Sequence, residues 1–162
     1  MPIVVRAASG ADFDTLITLN QVVQSLHAAL YPSDFKPVVD PAAVRALFAT
    51  HIDAPESGIG IAEIDRAPVG YVFFEVQARP ETGFSPARPR MYVHHLSVAA
   101  EARRQGVATA LLEYVEQRAA SDSINEIALD VWAANLDAQH FFCSQGFVAF
   151  NVVLRKKLAG IS

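Results

Sequence analysis

The stretch from Tyr92 to Trp132 restricts the fold more than any other part of this chain. Tyr92–Val98 has the composition of a strand, and Glu126–Trp132 has it again. Between them Val107, Leu111 and Val115, flanked by Ala108, Leu112 and Ala119, repeat at the spacing of an amphipathic helix. A strand–helix–strand unit of this kind joins parallel strands through a right-handed crossover. Its sheet needs helices to cover it, which points to an α/β (α+β) protein.

The remaining segments fit around that unit. Ile3–Arg6 reads as a short strand, and Leu16, Leu19, Val23, Leu26 and Leu30 recur at helical spacing, giving one or two helices over about Ala11 to Ala29. Asp40-Pro41 is an N-cap followed by a first-turn proline, and Val44, Leu47, Phe48 and Ile52 form the apolar face of that helix. Ile59–Ile64 and Val69–Ala78 flank Asp65-Arg66-Ala67-Pro68 and read as a hairpin. Asn135 can cap a helix with Ala138, Phe141, Phe142 and Gln145 on its inner face, and Gly146 suits its C-terminal end. Phe147–Leu158 is expected to close the chain as a strand. The expected order is β-α-α-β-β-β-α-β-α-β, a three-layer arrangement with a mixed central sheet and helices on both faces.

Composition then narrows the function. With 162 residues, 52 % of them apolar, residues 1–162 are expected to form a single domain that needs neither disulfides nor a structural metal. The one cysteine, Cys143, allows no intrachain disulfide and no thiolate metal cluster, and reads as a small apolar residue. A net charge of −4 without a basic run speaks against a nucleic-acid face. Met1–Arg6 lacks the layout of a signal peptide, and no apolar run approaches the roughly 18–20 residues of a membrane helix. A cytoplasmic protein with a small-molecule or peptide partner is expected, without nucleic acid, membrane or metal.

Chemistry concentrates at Val98–Thr109, where a strand ends, a short basic turn follows and a helix begins at Gly106. The first N–H groups of a helix have no internal partners and carry partial positive charge, so such an end suits a phosphate. Gly106 and Ala108 would let a pyrophosphate approach the backbone, with Arg103, Arg104 and Thr109 adding charge and a hydroxyl. From these residues alone two readings stand: a phosphate site, or an ordinary strand–helix turn with solvated arginines. A nucleotide P-loop fits poorly, because a lone glycine is followed by Val107-Ala108-Thr109 rather than by a Lys-Ser/Thr pair.

Arg103-x-x-Gly106-x-Ala108 resembles the pyrophosphate-binding motif of the GCN5-related N-acetyltransferase (GNAT) superfamily. Asn135, Ala138, Phe141-Phe142 and Gly146-Phe147 are similar to that superfamily's downstream Asn-x-x-Ala…Gly-Phe segment, and the order of elements agrees from Ile3 to Leu158. The resemblance implies an acyl-CoA-dependent N-acyltransferase, most simply one that moves an acetyl group from acetyl-CoA to a primary amine by direct attack in a ternary complex. Leu96, Ser97 and Val98 would meet the pantetheine arm. Arg103, Arg104, Gln105, Gly106, Val107, Ala108 and Thr109 would cradle the pyrophosphate. Asn135 would bind pantetheine or cap the following helix. The thioester would lie where the two strands of the crossover splay apart.

Acetyl transfer needs a neutral amine and a polarised carbonyl. A lysine-like amine of pKa about 10.4 is neutral in only roughly one molecule in a few thousand at pH 7, so a base titrating near neutrality helps. The Val98 N–H is the expected carbonyl donor. Strict alternation puts Tyr92, His94, Leu96 and Val98 on one face of the strand and Val93, His95 and Ser97 on the other. In relatives, side chains at the positions of Tyr92, His94 or His95 contact the acceptor or act as base; His94 is favoured here, with His95 second. His27, with Tyr31, Asp34 and Phe35, and Phe73, with Phe74 and Glu75, are further candidates for the acceptor pocket. One departure stands out: relatives often carry a tyrosine at the Phe142 position as acid toward the thiolate, and phenylalanine has no hydroxyl. A non-catalytic acyl-CoA-binding protein is therefore an alternative; an enzyme of the same fold using a longer acyl chain and a non-CoA phosphate binder are two further ones. The apolar last strand could support a homodimer.

Overall fold

A computed structural model describes residues 1–160. They fall into two compact units, residues 1–130 and 131–160.

The first unit is built on a five-stranded sheet in the order β1-β2-β3-β4-β5, comprising β1 (Ile3–Ala7), β2 (Ser57–Ile64), β3 (Ala67–Gln77), β4 (Arg90–Val98) and β5 (Ile127–Leu129). The first four strands pair antiparallel, and β5 pairs parallel with β4. Helices α1 (Phe13–Leu30) and α2 (Pro41–His51) precede the hairpin, and α3 (Val107–Ser121) makes the crossover between β4 and β5. The mixed α/β architecture read from the sequence is thus the one found.

Local chemistry sets the element ends. A short 3₁₀ turn, Gly10–Asp12, leads into α1; the Ser9 hydroxyl accepts from the Ala11 N–H, and the Asp12 carboxylate accepts from the Ser9 N–H at 2.7 Å. Asp40 caps α2 by accepting the Ala42 N–H at 3.0 Å, with Pro41 in the first turn. Asp65 (φ 49°) and Arg66 (φ 66°) both take the left-handed conformation of a two-residue hairpin turn, whose twist matches that of the strands. Arg6 on β1 pairs with Asp12 and Glu63, each at 2.8 Å, and holds the Asp12 carboxyl down at about 2.

The two faces of β3 define the core. Tyr71 and Phe73 point to α1 and α2: Asn20 bonds the Tyr71 hydroxyl, and Phe48 packs edge-on to both rings. Phe74 packs on Tyr114 of α3 on the other face. Leu111, Leu112 and Val115 of α3 are fully buried, a stabilisation of about 1.5–3 kcal/mol for each such side chain. Gly70 is required here, because a Cβ would lie 2.8 Å from the Ser97 carbonyl oxygen and 3.1 Å from Val107 Cγ1. Its absence lets the start of α3 settle on the sheet.

In the second unit α4 (Leu136–Ser144) begins at Asn135, whose side chain accepts from the Ala138 N–H at 3.2 Å. It ends at Gly146 (φ 89°), with Gly146 N–H donating to the Cys143 carbonyl and Phe147 N–H to that of Phe142, the paired bonds of a glycine-terminated helix. Two expectations are corrected. Residues 147–158 form no strand, although Val148, Phe150, Val152 and Leu154 alternate; alternation marks a face, but a strand also needs a ladder, and these residues make none. The strand expected over Glu126–Trp132 shrinks to Ile127–Leu129, because only three of its residues are in register with β4.

Candidate active site

The decisive feature is an irregularity in β4. Phe73 pairs with His95, but the next residue, Phe74, pairs with Val93, so His94 is one residue more than β3 can match. Such a bulge interrupts the alternation of side chains. The expectation that His94 and His95 face opposite ways is therefore overturned. His95 joins Tyr71 on the α1 side, while His94 stacks on Phe73 of that same face, with ring centroids 4.9 Å apart and planes at 21°. Glu75 and Tyr92, paired in register, continue that face. Leu96 and Val98 pair with Val72 and Gly70 and lie toward α3.

His94 is only partly covered. Its Nε2 lies 2.8 Å from Glu75 Oε1, and both side chains keep about a third of their exposure, at 30 % and 28 %. The Tyr92 ring stands edge-on to it at 4.9 Å. Tyr92 in turn donates its hydroxyl proton to Asp130 just past β5; burial, then that hydrogen bond, push the phenol up to about 12, so it stays protonated.

His95 is placed quite differently. Its Nδ1 lies 3.0 Å from the Tyr71 hydroxyl, and Asn20 Nδ2 donates to that same hydroxyl at 2.8 Å. Since the amide NH₂ can only donate, the Tyr71 proton goes to His95 Nδ1, and His95 carries its own proton on Nε2. Burial, with His94 and His27 adding to it, pushes the His95 imidazolium down to about 4. Tyr71 is itself fully buried, which raises its hydroxyl well above the usual range. Nearby on β4 the Ser97 hydroxyl donates to the Leu19 carbonyl of α1 at 2.7 Å, so that side chain ties helix to sheet.

Of the acceptor candidates, Phe73 and Tyr92 flank His94 directly. His27 packs on Phe35 at 4.9 Å and is lowered by burial. Phe74 faces the core beneath α3. Sequence reasoning missed Asn20, Tyr71 and Asp130 altogether. Asn20 and Tyr71 are separated by 51 positions, and nothing in an amphipathic helix or an apolar strand marks such a pair in advance.

β5 stops at Leu129, opposite Val93, so among the described residues β4 has no strand neighbour on that edge from His94 onward. An edge of this kind presents unpaired backbone donors and acceptors. Just beyond it the chain makes a 3₁₀ turn, Ala100–Ala102, and enters α3 at Gly106, which has φ 86° and no side chain to cap the helix. The first bond of α3 is Ala110 N–H to the Gly106 carbonyl, so the N–H groups of Val107, Ala108 and Thr109 are the orphan donors of the first turn. Arg103 and Arg104 are exposed, and among the described residues neither pairs with a carboxylate. Gln105 builds the turn, its Nε2 donating to the Glu101 carbonyl at 2.9 Å. At Gly106 a Cβ would meet nothing nearer than Ile3 Cδ1 at 3.7 Å, so the space beside the loop is clear. Free N–H groups, two unpaired guanidinium groups and open space fit a pyrophosphate.

The model of the acetyltransferase (GNAT) family matches residues 22–147. The chain belongs to the GNAT family. Acetyl-CoA, expected from the sequence, is that family's acyl donor. Solved structures agree with the fold. The BH1408 protein of Bacillus halodurans, as a tetramutant, superposes with a TM-score of 0.87 at 19 % identity, covering 96 % of this chain and 99 % of that one. The aminoglycoside 6'-N-acetyltransferase AAC(6')-IG of Acinetobacter haemolyticus gives 0.74 at 17 %, covering 96 % and 97 %. The aminoglycoside N-acetyltransferase AAC(6')-Iy in complex with CoA gives 0.71 at 17 %, covering 98 % and 95 %. No curated protein matches the chain.

In this GNAT chain Asn135 serves as the cap of α4, one of the two roles expected for it. Phe142 packs on Phe141 and Phe147 at 5.3 and 5.5 Å within the second unit. Among the described residues of this GNAT protein no helix is long and apolar enough to cross a membrane.

Proposed function

We propose that the chain is an acetyl-CoA-dependent N-acetyltransferase acting on a primary amine of a small molecule or peptide, with His94 as the base. The observation that carries this reading is the β4 bulge. It sets a half-exposed imidazole beside an open strand edge, next to a loop suited to pyrophosphate.

Arg103, Arg104 and the N–H groups of Val107, Ala108 and Thr109 hold the pyrophosphate, with Gly106 giving it room. Backbone groups of Leu96, Ser97 and Val98 align the pantetheine arm, and the Val98 N–H is the donor toward the acyl carbonyl. Acetyl-CoA supplies an activated acyl thioester. His94 takes the proton from the acceptor ammonium, and Phe73 and Tyr92 wall the place where that amine sits. His95 is a poor base, since Tyr71 occupies its lone pair and burial opposes its charging. The acceptor is named only as an amine; the aminoglycoside enzymes above share the fold with this chain.

A second reading, a non-catalytic acyl-CoA-binding protein, is favoured by Phe142, which cannot protonate a leaving thiolate. One assay separates them. CoA thiol release is followed from acetyl-CoA with polyamines, amino acids, aminoglycosides and peptide N-termini as acceptors. Release that depends on one acceptor is expected, and Gly106→Val, which forces a β-branched residue to positive φ in the loop, abolishes it while acetyl-CoA affinity falls about 10-fold or more. Acetyl-CoA binding without release for any acceptor favours the second reading.

A further inference from the structure

A histidine that takes a proton must offer one ring nitrogen, and its ring must be held while it does so. Glu75 Oε1 lies 2.8 Å from Nε2, and a carboxylate only accepts, so Nε2 carries the proton of the neutral ring. Among the described residues no hydrogen bond falls on Nδ1. The ring is also fixed in plane, stacked on Phe73 and flanked by the Tyr92 edge. Ring packing plus this 2.8 Å contact with a carboxylate leave the imidazole a single free lone pair, on Nδ1.

We infer that Glu75 is a positioning residue, which locks His94 as the Nε2–H tautomer so that Nδ1 is the proton acceptor. This rests on the reading of His94 as base. The acceptor ammonium gives one proton to Nδ1, its nitrogen keeps the electron pair that attacks, and the imidazolium charge is balanced by the Glu75 carboxylate 2.8 Å from Nε2. A carboxylate on the far nitrogen of a histidine is a recurrent way to fix tautomer and orientation. The pair arises from tertiary structure alone. Glu75 stands in register with Tyr92, two residues before His94, and only the extra residue of the bulge brings the imidazole back over β3 on the carboxylate's side. The charged and titratable groups around His94 are Glu75 on β3, Tyr92 and His95 on β4, and Asp130 past β5. From the helices, His51 of α2 lies against the Phe73 ring at 4.8 Å, and His27 of α1 acts on His95.

The test has two readouts on the full chain. In ¹⁵N-labelled protein, long-range imidazole correlations of the neutral ring are recorded for the wild type, Glu75→Gln and Glu75→Ala, with His94→Ala used to assign the signals. The wild type is expected to show the proton on Nε2. Glutamine still offers an acceptor oxygen to Nε2, so Glu75→Gln keeps that tautomer, whereas Glu75→Ala lets the proton distribute over both nitrogens. In Glu75→Ala kcat falls about 10-fold and KM for the amine changes less than twofold, and Glu75→Gln recovers part of kcat. A wild-type proton on Nδ1, or a proton still held wholly on Nε2 in Glu75→Ala, overturns the assignment whatever happens to turnover. The expected tautomers, with turnover indifferent to His94→Ala, overturn the base reading instead and leave Glu75 no part in catalysis.

Discussion

His94 and His95 are adjacent in the chain and lie on the same face of one sheet, yet their rings meet opposite surroundings. His94 is at the rim of the covered face, with a carboxylate on Nε2. His95 is pressed under α1 and α2, edge-on to Phe48, with a buried hydroxyl donating to Nδ1. Burial and a donor partner favour the neutral ring of His95. The His94 ring instead keeps one nitrogen against a carboxylate and part of its edge open to solvent. Two adjacent residues of one type are thus set apart by the packing of their neighbours alone.

The comparison can be broken most directly by truncating each ring. His94→Ala is expected to lower kcat/KM at pH 7 by about 10²-fold or more and to move stability by less than about 0.5 kcal/mol, since the ring is part-exposed. Steady-state kinetics and urea unfolding on the same variant test both halves. His95→Ala should do the reverse, costing about 2–3 kcal/mol by opening a cavity and baring the Tyr71 hydroxyl. Equal loss of activity without destabilisation in the two variants would erase the distinction.

Acid sharpens it. His95 titrates at about 4 in the folded chain and near 6.5 when unfolded. Below pH 6.5 the unfolded chain takes up a proton that the folded chain refuses. The contribution to stability is therefore complete above pH 6.5 and is lost as pH falls toward 4, a total on the order of 3 kcal/mol. Urea midpoints measured from pH 7 to 4 should show this decline, and His95→Gln should flatten it. A smaller effect is expected from Tyr71→Phe, which leaves Asn20 Nδ2 and His95 Nδ1 without their shared hydroxyl. It should cost about 1–2 kcal/mol by urea unfolding, with kcat changed less than threefold. A larger kcat effect would bring His95 back into the chemistry.

Much of this was legible beforehand where the signal is local. Hydrophobic spacing placed α1, α2 and α3, Asp40-Pro41 marked the start of α2, and Asn135 and Gly146 bounded α4. The Arg103–Thr109 turn was legible for the same reason: a glycine at positive φ, arginines and a helix start lie within seven successive positions. The two corrected strands show the limit. Val148, Phe150, Val152 and Leu154 alternate as a strand should, but a ladder is a property of two segments, and one segment cannot announce it.

The sequence by itself determined which segments are helical, that β4 and β5 are joined by a helical crossover, and that a basic turn enters α3 at Gly106, because these follow from propensity, spacing and caps within a few residues. Only the tertiary structure decided what surrounds the two histidines. The bulge at His94 exists because β4 is one residue too long for its register with β3, and register is fixed by the packing of the whole sheet. That one extra residue sets His94 beside Glu75 and leaves His95 to Tyr71 and Asn20, partners 19 to 75 positions away in the chain.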